Sequence, residues 1–256
     1  MEINNSKKIK MLQEIQSEIQ KIKKEKLIME PFVKDITVRM SWNSNSLEGN
    51  TLSLDETVRV IEYDEVRSGH TYTEYQEAKN VYHAIKTMIQ FDEKQTMDAD
   101  WVKGANGYIM GNEATYRGMN LYVGTLTEAV YYPPSYQDVP DLMHDFIEKM
   151  NINTQNIESL IHDVAYQHIQ FERIHPFPDG NGRTGRMIMN QQLLNNGLLP
   201  AIIKDQSKYR QSFRRFDKNG EVALMENVMI NGILESWKHM EKIRNKYEER
   251  FSPEKK

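Results

Sequence analysis

Ile174-His175-Pro176-Phe177-Pro178-Asp179-Gly180-Asn181-Gly182-Arg183-Thr184-Gly185-Arg186 puts an imidazole, a carboxylate, three glycines and two arginines into one short stretch. The glycines free the backbone to bend, so that amide N–H groups can converge on one spot. The arginines add fixed positive charge on planar donor forks suited to phosphate. Met187-Ile188-Met189-Asn190-Gln191-Gln192-Leu193-Leu194 follows and reads as a helix. It ends at Asn195-Asn196-Gly197, where glycine suits a left-handed cap. The loop therefore feeds a helix N-terminus, whose unpaired amides and dipole favour an anion. The residues describe a phosphate cradle with a histidine on its rim.

Other readings of the loop fit less well. Gly180-Asn181-Gly182-Arg183-Thr184-Gly185 matches the dinucleotide pattern G-x-G-x-x-G. That pattern must follow a strand, and the residues from about 156 to 173 read as helical instead. A P-loop needs a Lys-Ser or Lys-Thr that the loop lacks. A di-iron carboxylate centre needs two Glu-x-x-His pairs, and Glu172-Arg173-Ile174-His175 supplies one. An ordinary surface turn does not call for two arginines three apart beside three glycines.

The run resembles the signature of the Fic family, H-x-F-x-[D/E]-G-N-G-R-x-x-R, with every fixed position filled. Ala165, His168, Phe171 and Glu172 extend the resemblance upstream, and it covers roughly residues 40 to 235. It implies an all-α Fic fold, a helical core with a small β-hairpin flap. The implied activity is transfer of AMP from ATP to a protein hydroxyl, with Mg2+.

A second pattern of that family, [S/T]-x-x-x-E-[G/N], is met by Ser44, Glu48 and Gly49. Ser44 and Glu48 are four apart and share a helix face, and Gly49 is a stop. The resemblance makes this an inhibitory helix near residues 44–50, placed before the core. Its Glu48 would pair with Arg186, a carboxylate in the spot meant for a γ-phosphate. The residues alone also allow a helix-end glutamate in solvent.

Composition narrows the setting. The chain has 256 residues, enough to bury a substantial core, and a formal net charge of −4. A mildly acidic total argues against a nucleic-acid binder held by phosphate contacts. The absence of cysteine excludes disulfides, thiolate zinc sites and cysteine nucleophiles. No apolar run approaches a membrane span, and the N-terminus lacks the apolar core of a signal peptide. The expectation is a cytoplasmic protein without nucleic-acid or membrane partners.

The chain divides into an N-terminal helical segment (1–40), a Fic domain (41–235) and a charged helix end (236–256). In residues 7 to 29, Leu12, Ile15, Ile19 and Ile22 form a helical stripe. It packs on the domain or pairs with a second copy in a homo-oligomer. Ser53-Leu54-Asp55-Glu56 and Thr71-Tyr72-Thr73-Glu74 are capping boxes. A further helix follows Asp98, and His83, on the helix after Thr71, reads as structural. Leu121–Gly124 and Ala129–Tyr132 are β-prone, with Thr125–Glu128 as the turn of a hairpin. Such a hairpin packs on helices or, as the resemblance implies, is a flap (121–132) that takes a target segment as an added strand. Asp138 caps the next helix, with Pro140 in its first turn. His162 and His168 lack a third convergent ligand and read as structural or exposed. A helix begins at Tyr209, and residues 221 to 250 are helical.

Roles follow from the chemistry together with the resemblance. His175 is the base, since an imidazole titrates near neutrality, and the two arginines lower its pKa. Asp179 holds Mg2+ as a hard oxygen ligand. The nucleotide is held by Asp179, Gly180, Asn181, Gly182, Arg183, Gly185 and Arg186. Asn181, Gly182 and neighbouring amides cradle the α- and β-phosphates. Arg183 and Arg186 neutralise the leaving pyrophosphate. Tyr209 lies near the base of the nucleotide by the resemblance alone. Ser44 and Glu48 restrain the site. Rival readings are transfer of another phosphate-containing group, removal of AMP from a modified protein, and a nucleotide-sensing module without catalysis.

Overall fold

The stripe of Leu12, Ile15, Ile19 and Ile22 forms a helix shorter than the charge pattern suggests. Helix α1 spans Ser6–Ile22 and the chain turns at Lys23, so that the segment expected as one helix to residue 29 is two. The second, α2 (Lys26–Leu47), lies across the middle of the fold. The apolar stripe of α1 is covered within the chain, against α7 (Ile157–Ile174) and α10 (Ala223–Phe251). The face a self-pairing helix would offer is thereby occupied. Domain boundaries drawn at 40/41 and 235/236 both fall inside helices, α2 and α10.

The computed structural model describes residues 3–124 and 129–251. Among them are ten α-helices and one two-stranded antiparallel sheet. Local chemistry starts several helices. Ser53 and Glu56 close a reciprocal capping box on α3 (Leu54–Tyr63), and Thr71 and Glu74 do the same on α4 (Tyr72–Met88). Asp98 caps α5 (Ala99–Met110) by accepting from Trp101 N at 2.8 Å. His83 is exposed on α4, its ring edge-on to Tyr108. Asp138 stands before α6 (Val139–Met150) without a side-chain cap bond; it closes a short 3₁₀ turn begun at Ser135. The helix expected from Tyr209 starts earlier, as α9 (Gln206–Asn219), because Asp205 caps it.

The hairpin is present but short. Strand β1 (Val123–Gly124) pairs with β2 (Ala129–Tyr131) in the register Val123–Tyr131 and Gly124–Ala129, with an irregularity between. The turn expected at Thr125–Glu128 lies outside the described residues. No helix among the described residues is long and apolar enough to cross a membrane.

Two features of α2 set up the site. Its first two-thirds bury Ile28, Phe32, Ile36 and Met40, but its end buries Ser41, Asn43, Ser44 and Asn45. Buried polar groups need partners, and these find them on other elements. Asn43 exchanges two bonds with the backbone of Ile203, at 2.7 and 2.9 Å. Ser41 donates to Ala78 O at 3.0 Å. The polar end of α2 is thus fixed against α4, the 200–205 segment and α8 (Asn181–Asn195).

Asn43→Leu leaves the N–H and C=O of Ile203 unpaired in the interior. Each orphaned group costs about 1–3 kcal/mol, so the variant is expected to lose roughly 2–6 kcal/mol. A chemical denaturation midpoint measures it.

Candidate functional site

The site is the junction between α7 and α8. Pro176 disfavours helical geometry in the residue before it, and α7 ends with His175 in the left-handed region at φ +49°. Residues 176–180 then turn sharply. Phe177 is fully buried and packs on Tyr116. Asn181 clamps the turn with both ends of its side-chain amide. Its Oδ1 accepts from Phe177 N at 2.9 Å and its Nδ2 donates to Phe177 O at 2.8 Å. From α5, Asn106 donates to Asp179 O at 2.9 Å and Thr184 Oγ1 at 3.2 Å. Gly180 caps α8 at φ +77°, and a Cβ there would stand 2.8 Å from Asn106 Nδ2 and 2.9 Å from Met110 Sδ.

Helix α8 begins at Asn181, not after Arg186, so the expected loop is largely a helical first turn. Gly182 and Gly185 are therefore not hinges. A Cβ on Gly182 would collide with Glu48 Oε1, and one on Gly185 would lie 2.6 Å from Glu172 Oε1 and 2.9 Å from Phe171 Cδ1. They are glycines because other groups come that close. The first-turn amides of Asn181, Gly182 and Arg183 have no intrahelical acceptor and point outward with the positive end of the dipole.

A carboxylate lies against that turn. Glu48, at the end of α2, bonds Arg186 Nη2 at 2.6 Å through the Oε1 that lies against Gly182. Arg186 also donates from Nε to Ser44 Oγ at 3.0 Å and from Nη2 to Ser44 O at 2.9 Å. Burial alone would raise the Glu48 carboxyl, but Arg186, with Arg183 and Arg210 beyond it, holds it below the ordinary carboxylate value. The pair is lopsided in solvent: the Arg186 side chain is 5% exposed, the Glu48 side chain 40%. The guanidinium is a fixture, and the carboxylate sits at the mouth.

His175 is partly buried, and its pKa falls to about 4. Desolvation is the main cause. The bond to Glu172 O opposes it, and Arg117 adds to it, as does Arg173 more weakly. The expectation that the two signature arginines do this is corrected: burial does it, helped by different arginines. His175 Nδ1 lies 3.4 Å from Glu172 O. A carbonyl only accepts, so Nδ1 carries the proton and Nε2 holds the free lone pair.

The other expected residues divide. Asp179 presents a side chain 68% exposed, 3.5 Å from Arg183 Nη2. Arg183 itself is buried and bonded to Glu77 Oε1 at 3.0 Å, so α4 holds it. Asn181 has its side chain consumed by the clamp and can offer an anion its backbone amide. Tyr209 turns its hydroxyl inward, 2.8 Å from His168 Nε2 and 3.3 Å from Arg186 Nη1. It buttresses the arginine. His168 is fully buried there, with its pKa lowered to about 3 by burial and by Arg186. His162 is an exposed partner of Glu226.

Asn106, Glu77, Arg117 and Glu172 also shape the site and were not singled out for it from the sequence. Glu172, in the run before the signature, offered a signal: a carboxylate on the apolar side of α7. Its Oε1 is buried without a partner, and burial pushes its pKa to about 7.

Comparisons with known proteins bear on the family and the fold. The sequence profile of the Fic/DOC family matches residues 96–193. A protein adenylyltransferase Fic of Nematostella vectensis is 30% identical over 190 residues, covering 72% of this chain and 43% of the relative. A probable protein adenylyltransferase of Aquifex aeolicus is 27% identical over 210 residues, covering 79% of this chain and 61% of the relative. The chain thus spans about half the length of the curated relatives it matches. Among solved structures, a Fic domain containing signaling protein from Bacteroides thetaiotaomicron superposes with a TM-score of 0.72 at 24% identity, over 93% of both chains. Fic-1 from C. elegans gives 0.73 at 20% identity, over 94% of this chain and 71% of the other. These structures bear on the fold, which they share with this chain.

The raised pKa of Glu172 has a signed consequence. The folded state keeps its proton up to about pH 7, whereas the unfolded state releases it near 4.5. That contribution to stability is full below the unfolded value and is lost as pH rises through 7. Glu172→Gln, always neutral, should match the parent in thermal midpoint at pH 5 and exceed it at pH 8, by on the order of 5 °C.

Proposed function

The chain belongs to the Fic/DOC family, and on that premise we propose that it transfers AMP from ATP to a Ser, Thr or Tyr hydroxyl of a target protein, its own included. The observation that carries this is the Glu48 carboxylate against the first turn of α8, ion-paired to Arg186 at 2.6 Å. An anion site is built there, and one of the chain's own side chains fills it.

In the forward reaction the hydroxyl oxygen bonds to the α-phosphorus of ATP, and the bond to pyrophosphate breaks. The hydroxyl proton passes to His175 Nε2, free because Nδ1 is committed to Glu172 O. A neutral imidazole is required, and burial keeps it neutral. Arg186 and the amides at the start of α8 receive the phosphate oxygens and stabilise the charge that grows on the leaving pyrophosphate. Arg183, locked to Glu77, adds fixed positive potential behind them. The exposed carboxylate of Asp179 suits Mg2+, an ion that uses one or two carboxylates and completes its shell with phosphates and water. Bound there, Mg2+ would neutralise phosphate charge. The hairpin at β1–β2, beside His175, is the edge on which an extended target segment would add as a strand.

Glu48 restrains this reaction. Its carboxylate takes the donors that a terminal phosphate of ATP would use, so it must swing out first. The link from α2 to α8 makes the end of α2 the switch.

Protein incubated with α-³²P-ATP and Mg2+ tests both roles. His175→Ala is expected to lose label about 10²- to 10⁴-fold, with folding intact. Glu48→Gly is expected to gain roughly 10- to 100-fold, the worth of one charged hydrogen bond. In Glu48→Gly, activity should hold from neutral pH downward and fall only as pH drops through about 4, where His175 takes its proton. An acid limb near 6.5 would mean an exposed imidazole.

A further inference from the structure

Arg117 is buried, and among the described residues its guanidinium bonds only backbone carbonyls. Nε donates to His175 O at 2.9 Å, Nη1 to Met119 O at 3.1 Å and Nη2 to Pro134 O at 2.6 Å. Nη2 also makes a long contact with Ile174 O at 3.5 Å, and Arg117 N donates to Pro176 O at 2.8 Å. No carboxylate among the described residues forms an ion pair with it.

A buried charge needs compensation, and the end of α7 provides it. The last carbonyls of a helix lack intrahelical donors and carry the negative end of the dipole. Three consecutive carbonyls at this end are met from the flap side of the chain. Tyr131 of β2 donates to Arg173 O at 3.0 Å, while Arg117 reaches Ile174 O and His175 O. Tyr131 also lies over the Arg173 guanidinium, 4.4 Å from ring centre to Cζ. Met119 and Pro134 lie on either side of the hairpin, so one side chain binds both of its feet and the histidine together.

The conformation of His175 gives this a purpose. A residue with a Cβ in the left-handed region costs about 1–2 kcal/mol, and such geometry persists where surroundings over-determine it. Arg117 holds the carbonyl on one side of that residue, and its own N–H holds the next carbonyl. We infer that Arg117 is a positioning residue for the transfer reaction: it caps α7 and fixes the imidazole of His175 relative to the feet of the flap, and so to the incoming hydroxyl. This rests on the proposed AMP transfer. Arg117 makes no bond to Asp179, Arg183 or Arg186, so the phosphate end should not feel its loss.

The test is made in the Glu48→Gly background, with Arg117→Gln and Arg117→Lys. We measure kcat for AMP transfer, the Kd for Mg-ATP and the thermal midpoint. Misplacing the base relative to its substrate should lower kcat about 10²-fold in folded protein, while the Kd for Mg-ATP changes by less than about twofold. Lysine should fail to rescue, because a single ammonium cannot span carbonyls on both sides of the hairpin. If the glutamine variant does not fold, the lysine variant carries the test. Unchanged kcat in a folded variant, or kcat and ATP affinity falling together, overturns the positioning role. A parent Glu48→Gly protein that transfers no AMP overturns the reading of the site itself, which is a different result.

Discussion

Arg186 is a guanidinium taken almost wholly out of water, and the site is arranged around keeping it paired. A buried unpaired charge costs several kcal/mol. Two elements answer that need: α2 through Ser44 and Glu48, and α9 through Tyr209. The same requirement explains why α2 has a polar end. Ser44 must present both its hydroxyl and its carbonyl inward, and Glu48 must stand at the helix end to reach across. A phosphate oxygen would meet Arg186 as well as Glu48 does, so on the proposed function restraint and substrate binding would be two solutions to one electrostatic need.

The junction between α7 and α8 uses opposite helix ends for opposite purposes. The N-terminus of α8 is the positive end, open to an anion, with Gly182 giving clearance. The C-terminus of α7 is the negative end, closed by Arg117 and Tyr131. His175 lies between them, at the C-cap of α7 in the left-handed region. Its neutrality comes first from burial; the Glu48 carboxylate acts the other way, as a weaker influence that raises the imidazole.

Much of this could be read from the sequence because the chemistry is local. The signature concentrates its charged groups in the one short stretch from His175 to Arg186, and both capping boxes need only four residues. The pairing of Glu48 with Arg186 was visible because it had a pattern of its own. What escaped was non-local. Gly182 and Gly185 look like hinge residues, since glycine is a poor helix former; they lie in the helix, and are glycines because Glu48 and Glu172 press against them. Asn181 looks like a phosphate ligand, but its side chain is spent on Phe177. Arg117 carries a charge, which normally signals solvent, and nothing in its neighbours marks it as buried. The break between α1 and α2 lies in a lysine-rich run with no glycine or proline at the turn.

If Glu48 stands where the terminal phosphate of ATP belongs, its removal should matter to nucleotides in proportion to their length. Calorimetric titration of ATP and of AMP, each with Mg2+, into the native chain and Glu48→Gly decides this. The account predicts that ATP binds the variant about tenfold or more tightly than the parent, one charged contact's worth, while AMP binds both alike. Equal gains for ATP and AMP, or no gain for either, would contradict it.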